Sequence, residues 1–164
     1  MKETANKEIN KNRKGAIHLI LVHSYSVFLI AIILGVFFDT LLKEKIFSSN
    51  IYQWVGFFML IFSSLIIFWA QKTSMDYKKN INKRENKSHF ESGPYQYLRS
   101  PTHFGLFIMT LGFGLIINSL FTIVFTIIGY TISKLFFLKK EEILLENKYG
   151  QVYSDYKKKV KNWI

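Results

Sequence analysis

The sequence predicts an all-α, polytopic membrane protein: about four transmembrane helices, the last two a short helical hairpin, then a cytoplasmic C-terminal amphipathic helix. Three observations point there. The hydrophobic residues, 49 % of the 164-residue chain, fall in long blocks rather than at the helix or strand spacing of a soluble core. Lysines and arginines fill the gaps between the blocks. Cysteine is absent, which removes disulfides, thiolate nucleophiles and cysteine-based metal sites.

Taken in order, residues 1–15 are polar and charged and form a short arm, and residues 16–164 form a single membrane domain. The first span covers about 17–42 and is densest over Val27–Phe38. It is too long for a secretory signal, and no small-residue cleavage site follows it. The second span, 51–70, would extend about 30 Å, the thickness of the hydrocarbon core. Residues 71–100 are hydrophilic and close with a turn at Ser92-Gly93-Pro94. Pro101 to Leu138 as one helix would measure about 57 Å, too long for one crossing. Asn118-Ser119 is the natural break, which leaves spans of about 101–117 and 120–138 packed as a hairpin. From Lys139 the chain is charged again.

The net charge of +11 suits either nucleic-acid phosphates or membrane orientation. Position decides. In a four-span arrangement 20 of the 22 lysines and arginines share one side, and only Lys43 and Lys45 lie on the other. The positive-inside rule then puts both termini and the 71–100 loop in the cytoplasm of a bacterial-type cell. This use of the basic residues leaves no nucleic-acid partner to be expected. His18, His23, His89 and His103 lack ligand spacing, so no metal site is expected either.

Two segments carry chemistry. From Gly93 to Gly105 the chain reads as a turn, a short extended piece and a helix start, with Ser100 as N-cap and Pro101 in the first turn. That helix end offers free N–H groups and a positive dipole to a carboxylate or phosphate. Gly105 and Gly112 stand two turns apart and allow close approach of a helix or a ligand. The simpler reading is a capped span with Arg99 toward the headgroups. The second segment is Lys139-Lys140-Glu141-Glu142. Its two carboxylates point about 100° apart on a helix, so only one can readily face Arg99. Gly150 is a helix stop. Tyr153, Tyr156, Val160 and Trp163 then recur on one face among Lys157, Lys158, Lys159 and Lys161, an interfacial helix that both anchors the tail and roofs a pocket.

Together these segments resemble the isoprenylcysteine carboxyl methyltransferase family, membrane enzymes related to phospholipid methyltransferases. Gly93, Pro94, Tyr95, Tyr97, Arg99, Pro101 and Gly105 match its first motif; Glu141, Glu142 and Leu145 its second; Gly150, Tyr153, Tyr156 and Val160 its third. The resemblance covers about residues 90–164. Ser100 stands where the family usually has histidine, His103 where it has tyrosine, and Phe137 near a common arginine.

The resemblance implies S-adenosylmethionine as cofactor, bound by residues 90–164, and a lipophilic small-molecule or lipidated acceptor from among or within the membrane lipids. Arg99 and Glu142 are the expected catalytic pair, Arg99 toward an anionic acceptor or the cofactor carboxylate. Glu142, then Glu141, would hold the cofactor's ammonium or ribose. Ser100, Pro101, His103 and Gly105 would form the helix-end site, and Tyr97, Tyr153 and Tyr156 would line the cleft. A carboxylate acceptor is expected first, since it is already ionised and needs no base. Two alternatives are a phospholipid amine methyltransferase with the same cofactor and a non-catalytic lipid-binding or assembly protein.

Overall fold

The computed structural model describes residues 22–23, 25–42, 49–79 and 92–160, all in helices or short turns. The arm, the start of the first span, Lys43, Lys45 and Trp163 lie outside the described residues. Helix α1 covers Tyr25–Leu42 and α2 Ile51–Lys79. A 3-10 turn at Gly93–Gln96 leads into α3, Pro101–Ile116. Helix α4, Leu120–Ile132, passes through a π-helical stretch, Ser133–Leu138, into α5, Lys139–Tyr149. Helix α6 is Gln151–Lys159.

Among the described residues, three apolar helices are long enough to cross a bilayer: Tyr25–Leu42, Ile51–Asp76 and Leu120–Asn147. The fourth, α3, is apolar but has 16 residues, about 24 Å at 1.5 Å per residue. The expected hairpin break is present. Asn118 adopts φ 54°, and the Ser119 side chain accepts from the Thr122 N–H, which restarts the helix. The second span differs from its expected end at residue 70. Residues 71–79 contain no glycine or proline, so α2 continues to Lys79 beyond the apolar stretch.

Small residues let these helices meet. A Cβ on Gly112 would lie 2.8 Å from the Gly56 carbonyl oxygen, so α2 and α3 touch through their backbones. On the other side Gly129 of α4 takes Val27 and Ala31 of α1, and Phe38 stacks near Phe121 and Phe125 at 5.8 and 5.7 Å. Ser63, Thr110, Thr122 and Thr126 are fully or almost fully buried, and the hydroxyls of Ser63, Thr110 and Thr126 bond to carbonyls one turn back at 2.6–2.9 Å. The large apolar side chains point outward instead, with Trp54, Phe58 and Phe68 all more than 60 % exposed. That pattern suits lipid as solvent, where packing of small residues rather than apolar burial joins helices.

Candidate active site

The 3-10 turn positions the site. Gly93, at φ 60°, and buried Pro94 fold the chain so that the Tyr97 and Leu98 N–H groups both donate to the Pro94 carbonyl. This delivers Arg99 to the N-terminal end of α3. Pro101 opens that helix. Ser100 occupies the N-cap position, at φ −129° and ψ 67°, but its side chain makes no capping bond. The side chain lines a cavity instead.

That cavity measures about 330 Å³. Ser100, Pro101, Thr102 and His103 from the helix start form one wall, with Tyr95 and Arg99 from the preceding loop. Gln71, Ser74 and Met75 of the α2 extension, Tyr25 of α1 and Glu141 of α5 complete it.

The adjacent carboxylates diverge as helix geometry requires. Glu142 meets Arg99, Oε1 to Nη1 at 2.9 Å, and Lys157 Nζ lies 3.2 Å from its Oε2. Glu141 faces the cavity, and its Oε2 is shielded from solvent with no hydrogen-bond partner among the described residues. His103, only 3 % exposed, likewise leaves Nε2 buried without a partner.

Arg99 is the hub of the tail. Besides its ion pair, its Nε donates to the Val160 carbonyl at 2.7 Å and its Nη2 to that of Lys157 at 3.2 Å. The Tyr156 hydroxyl donates to the Tyr95 carbonyl at 2.6 Å, and the Tyr95 hydroxyl shares a hydrogen bond with Ser74 at 3.0 Å. Tyr153, Tyr156 and Val160 form a small core with Leu145 and Tyr149. Burial pushes both phenols well above the ordinary tyrosine value, so they stay protonated and Tyr156 remains a donor. Desolvation depresses the Lys157 ammonium, but the hydrogen bonds and charges of Glu142 and Glu146 together leave it raised.

Of the residues picked from sequence, Arg99, Ser100, Pro101, His103 and Glu141 therefore share one cavity. Glu142 stands behind Arg99 as its ion-pair partner. Tyr153 and Tyr156 support the wall from beneath rather than line it. Tyr97 caps the 3-10 turn and is 67 % exposed. Gly105 faces α2, where a Cβ would press on Ile67. Sequence reasoning missed Tyr25, Gln71, Ser74, Met75 and Thr102. The i, i+3, i+4 spacing of Gln71, Ser74 and Met75 was the available signal, once α2 is known to continue.

The model of the phospholipid methyltransferase family matches residues 51–152, which takes in every cavity-lining residue except Tyr25. The chain belongs to that family. No curated protein and no solved structure matches it. Membership makes it a membrane methyltransferase of the phospholipid and isoprenylcysteine type, with its helices in the bilayer where lipid substrates reside. Within the family match, the π-helical stretch and the Glu141-Glu142 pair fall on the helix that leaves the membrane.

Proposed function

We propose that the protein transfers a methyl group from S-adenosylmethionine to an amine-bearing lipophilic acceptor that reaches the cavity from the bilayer. The observation that carries this reading is the cavity itself, where a helix N-terminus and an unpaired buried carboxyl face each other at the polar end of the spans. Its volume of about 330 Å³ falls within the range of small-molecule sites.

The residues present fit the cofactor. The first-turn N–H groups of Thr102 and His103 have no partner within α3 by helix geometry, and they suit its carboxylate. Ser100, free of capping, adds a hydroxyl beside them. Bound there, the cofactor supplies an activated methyl group. The chain supplies alignment and a site partly shielded from water. On this reading residues 90–164, with the polar end of α2, carry the cofactor, and both termini lie in the cytoplasm.

An amine suits the cavity better than a carboxylate. A carboxylate would need the Arg99 guanidinium, whose charge is already paired with Glu142 and three of whose five N–H groups donate to Val160, Glu142 and Lys157. No lysine lines the cavity among the described residues, whereas Glu141 offers a carboxyl.

The test is ligand stabilisation of the purified full chain in detergent. S-adenosylhomocysteine at about 100 times its Kd should stabilise the fold by about 2.7 kcal/mol. Absence of any thermal shift at millimolar ligand would favour the lipid-binding or assembly role and end the enzyme reading.

A further inference from the structure

We propose that the first turn of α5 and the end of α6 form a binding site for an anionic phospholipid, which ties the tail to the bilayer surface. None of its lysines lines the cavity, so the site works whether or not the chain transfers methyl groups.

Lys139 and Lys140 stand about 29 Å along the last span from Leu120, at 1.5 Å per residue. That distance is the thickness of the hydrocarbon core, so both reach headgroup level. Phe136, Lys139, Lys140 and Ile143 follow at spacings of three and four and share one side of the helix. Phe136 is 60 % and Ile143 56 % exposed, and both lysines are exposed between them. The ammonium groups thus rise from a face that is otherwise apolar and turned outward.

The end of α6 is held beside this turn. Arg99 donates to Glu142 of α5 and to the carbonyls of Lys157 and Val160, and Lys157 Nζ lies 3.2 Å from Glu142 Oε2. Lys158 and Lys159 therefore come to the same level, and both are exposed. Carboxylates answer little of this charge. Glu142 and Glu146 pair with Lys157, Glu141 lines the cavity, and Asp155 takes Lys158 at 3.5 Å. Lys139, Lys140 and Lys159 make no ion pair among the described residues.

This combination selects its ligand. A soluble anion would satisfy the lysines but leave Phe136 and Ile143 without a partner. A phospholipid offers phosphate oxygens to the ammonium donors and acyl chains to the apolar residues. A zwitterionic headgroup also brings a cation, and no free carboxylate stands beside Lys139 and Lys140 to receive it. An anionic headgroup brings no such cation, and its charge draws basic side chains to the surface. Because Arg99 and Tyr156 join α6 to the loop that walls the cavity, a lipid held here also steadies that wall.

In the experiment the full chain, in neutral detergent micelles, is titrated with fluorescent phosphatidylglycerol or fluorescent phosphatidylcholine. Phosphatidylglycerol should bind more tightly. Lys139→Gln with Lys140→Gln should weaken it by roughly 25-fold, about fivefold for each lysine near an anionic surface, and leave phosphatidylcholine binding as in wild type. Lys139→Arg with Lys140→Arg, which keeps the charge, should bind like wild type. In vesicles containing phosphatidylglycerol, cleavage after residue 150 should be slower than in pure phosphatidylcholine, and the glutamine pair should remove the difference. Equal affinity of the wild type for the two lipids would overturn the proposal. So would a glutamine pair that binds phosphatidylglycerol as wild type does. Displacement of the lipid by millimolar inorganic phosphate would overturn it in favour of a soluble anion. Should the glutamine pair not fold, the wild-type preference must still vanish at about 1 M salt, where screening acts over about 3 Å; a preference that persists overturns the proposal as well. Activity enters none of these readouts, so methyl transfer stands or falls separately.

Discussion

The membrane half of the molecule and its polar cap are built on opposite rules. Among the spans, most buried residues are small, such as Gly56, Gly112, Ser63, Thr110, Thr122 and Thr126, with Phe28 a large exception, and most large apolar side chains turn outward. In the cap the buried residues are large, Tyr153, Tyr156 and Val160, and charged groups bind the layers together through Arg99, Glu142 and Lys157. Solvent explains the inversion. Lipid gives no advantage to burying apolar area, so helices meet where backbones can approach. Water restores that advantage around the tail, and partly exposed ion pairs become tolerable. The cavity sits on the seam, with walls from both halves.

Breaking the membrane half should cost most. In Gly112→Leu the new side chain meets the Gly56 carbonyl, and backbone cannot move aside as a side chain would. About 3 kcal/mol of destabilisation is expected, read as a lower midpoint of thermal unfolding in detergent and loss of the cap with it. Breaking the cap alone should cost less and leave the spans folded. Arg99→Ala removes three donated bonds, one of them the ion pair with Glu142, whose side chains are 15 % and 18 % exposed. About 2 kcal/mol is expected, seen as rapid proteolysis after residue 150 with unchanged helical circular dichroism of the spans. Arg99→Lys should recover less than half, since an ammonium cannot reproduce the guanidinium fork.

Tyr156→Phe tests the smaller link. It deletes the bond to the Tyr95 carbonyl and should cost about 1 kcal/mol, read by the same tail proteolysis. The smallest effect is that of alkaline pH. Burial holds the Tyr153 and Tyr156 phenols above their ordinary value of 10.0, so the docked tail keeps protons that a released tail gives up. Their contribution is present in full below pH 10 and declines as pH rises past it. Tail protection should fall progressively as pH rises above 10.0, while the spans, bonded within themselves, should not respond.

The halves also differ in how far the sequence reveals them. The spans were legible as apolar blocks, and the Asn118-Ser119 break could be read from turn chemistry, since both depend on local composition. The end of α2 was not, because helix propensity past Ala70 carries the chain on after hydropathy ends. In the site, the divergence of Glu141 and Glu142 followed from helix geometry. Which of the two meets Arg99 did not follow, because the π-helical stretch resets the register without a signal in composition. The engagement of Arg99 with two backbone carbonyls of the tail was equally hidden. Such bonds leave no trace in side-chain patterning. Ser100 shows the same limit: it has the right residue type for a cap, yet its hydroxyl makes no capping bond.

The central claim is methyl transfer to a lipid-borne amine, and one measurement addresses it directly. Membranes containing the full chain are incubated with methyl-labelled S-adenosylmethionine, and the label is followed into lipid, protein and base-labile volatile ester. The account predicts label in an aminolipid fraction that resists mild base and is absent from membranes lacking the protein. Label released by base as methanol would contradict it in favour of a carboxylate acceptor, and no label above the control would contradict the enzyme altogether.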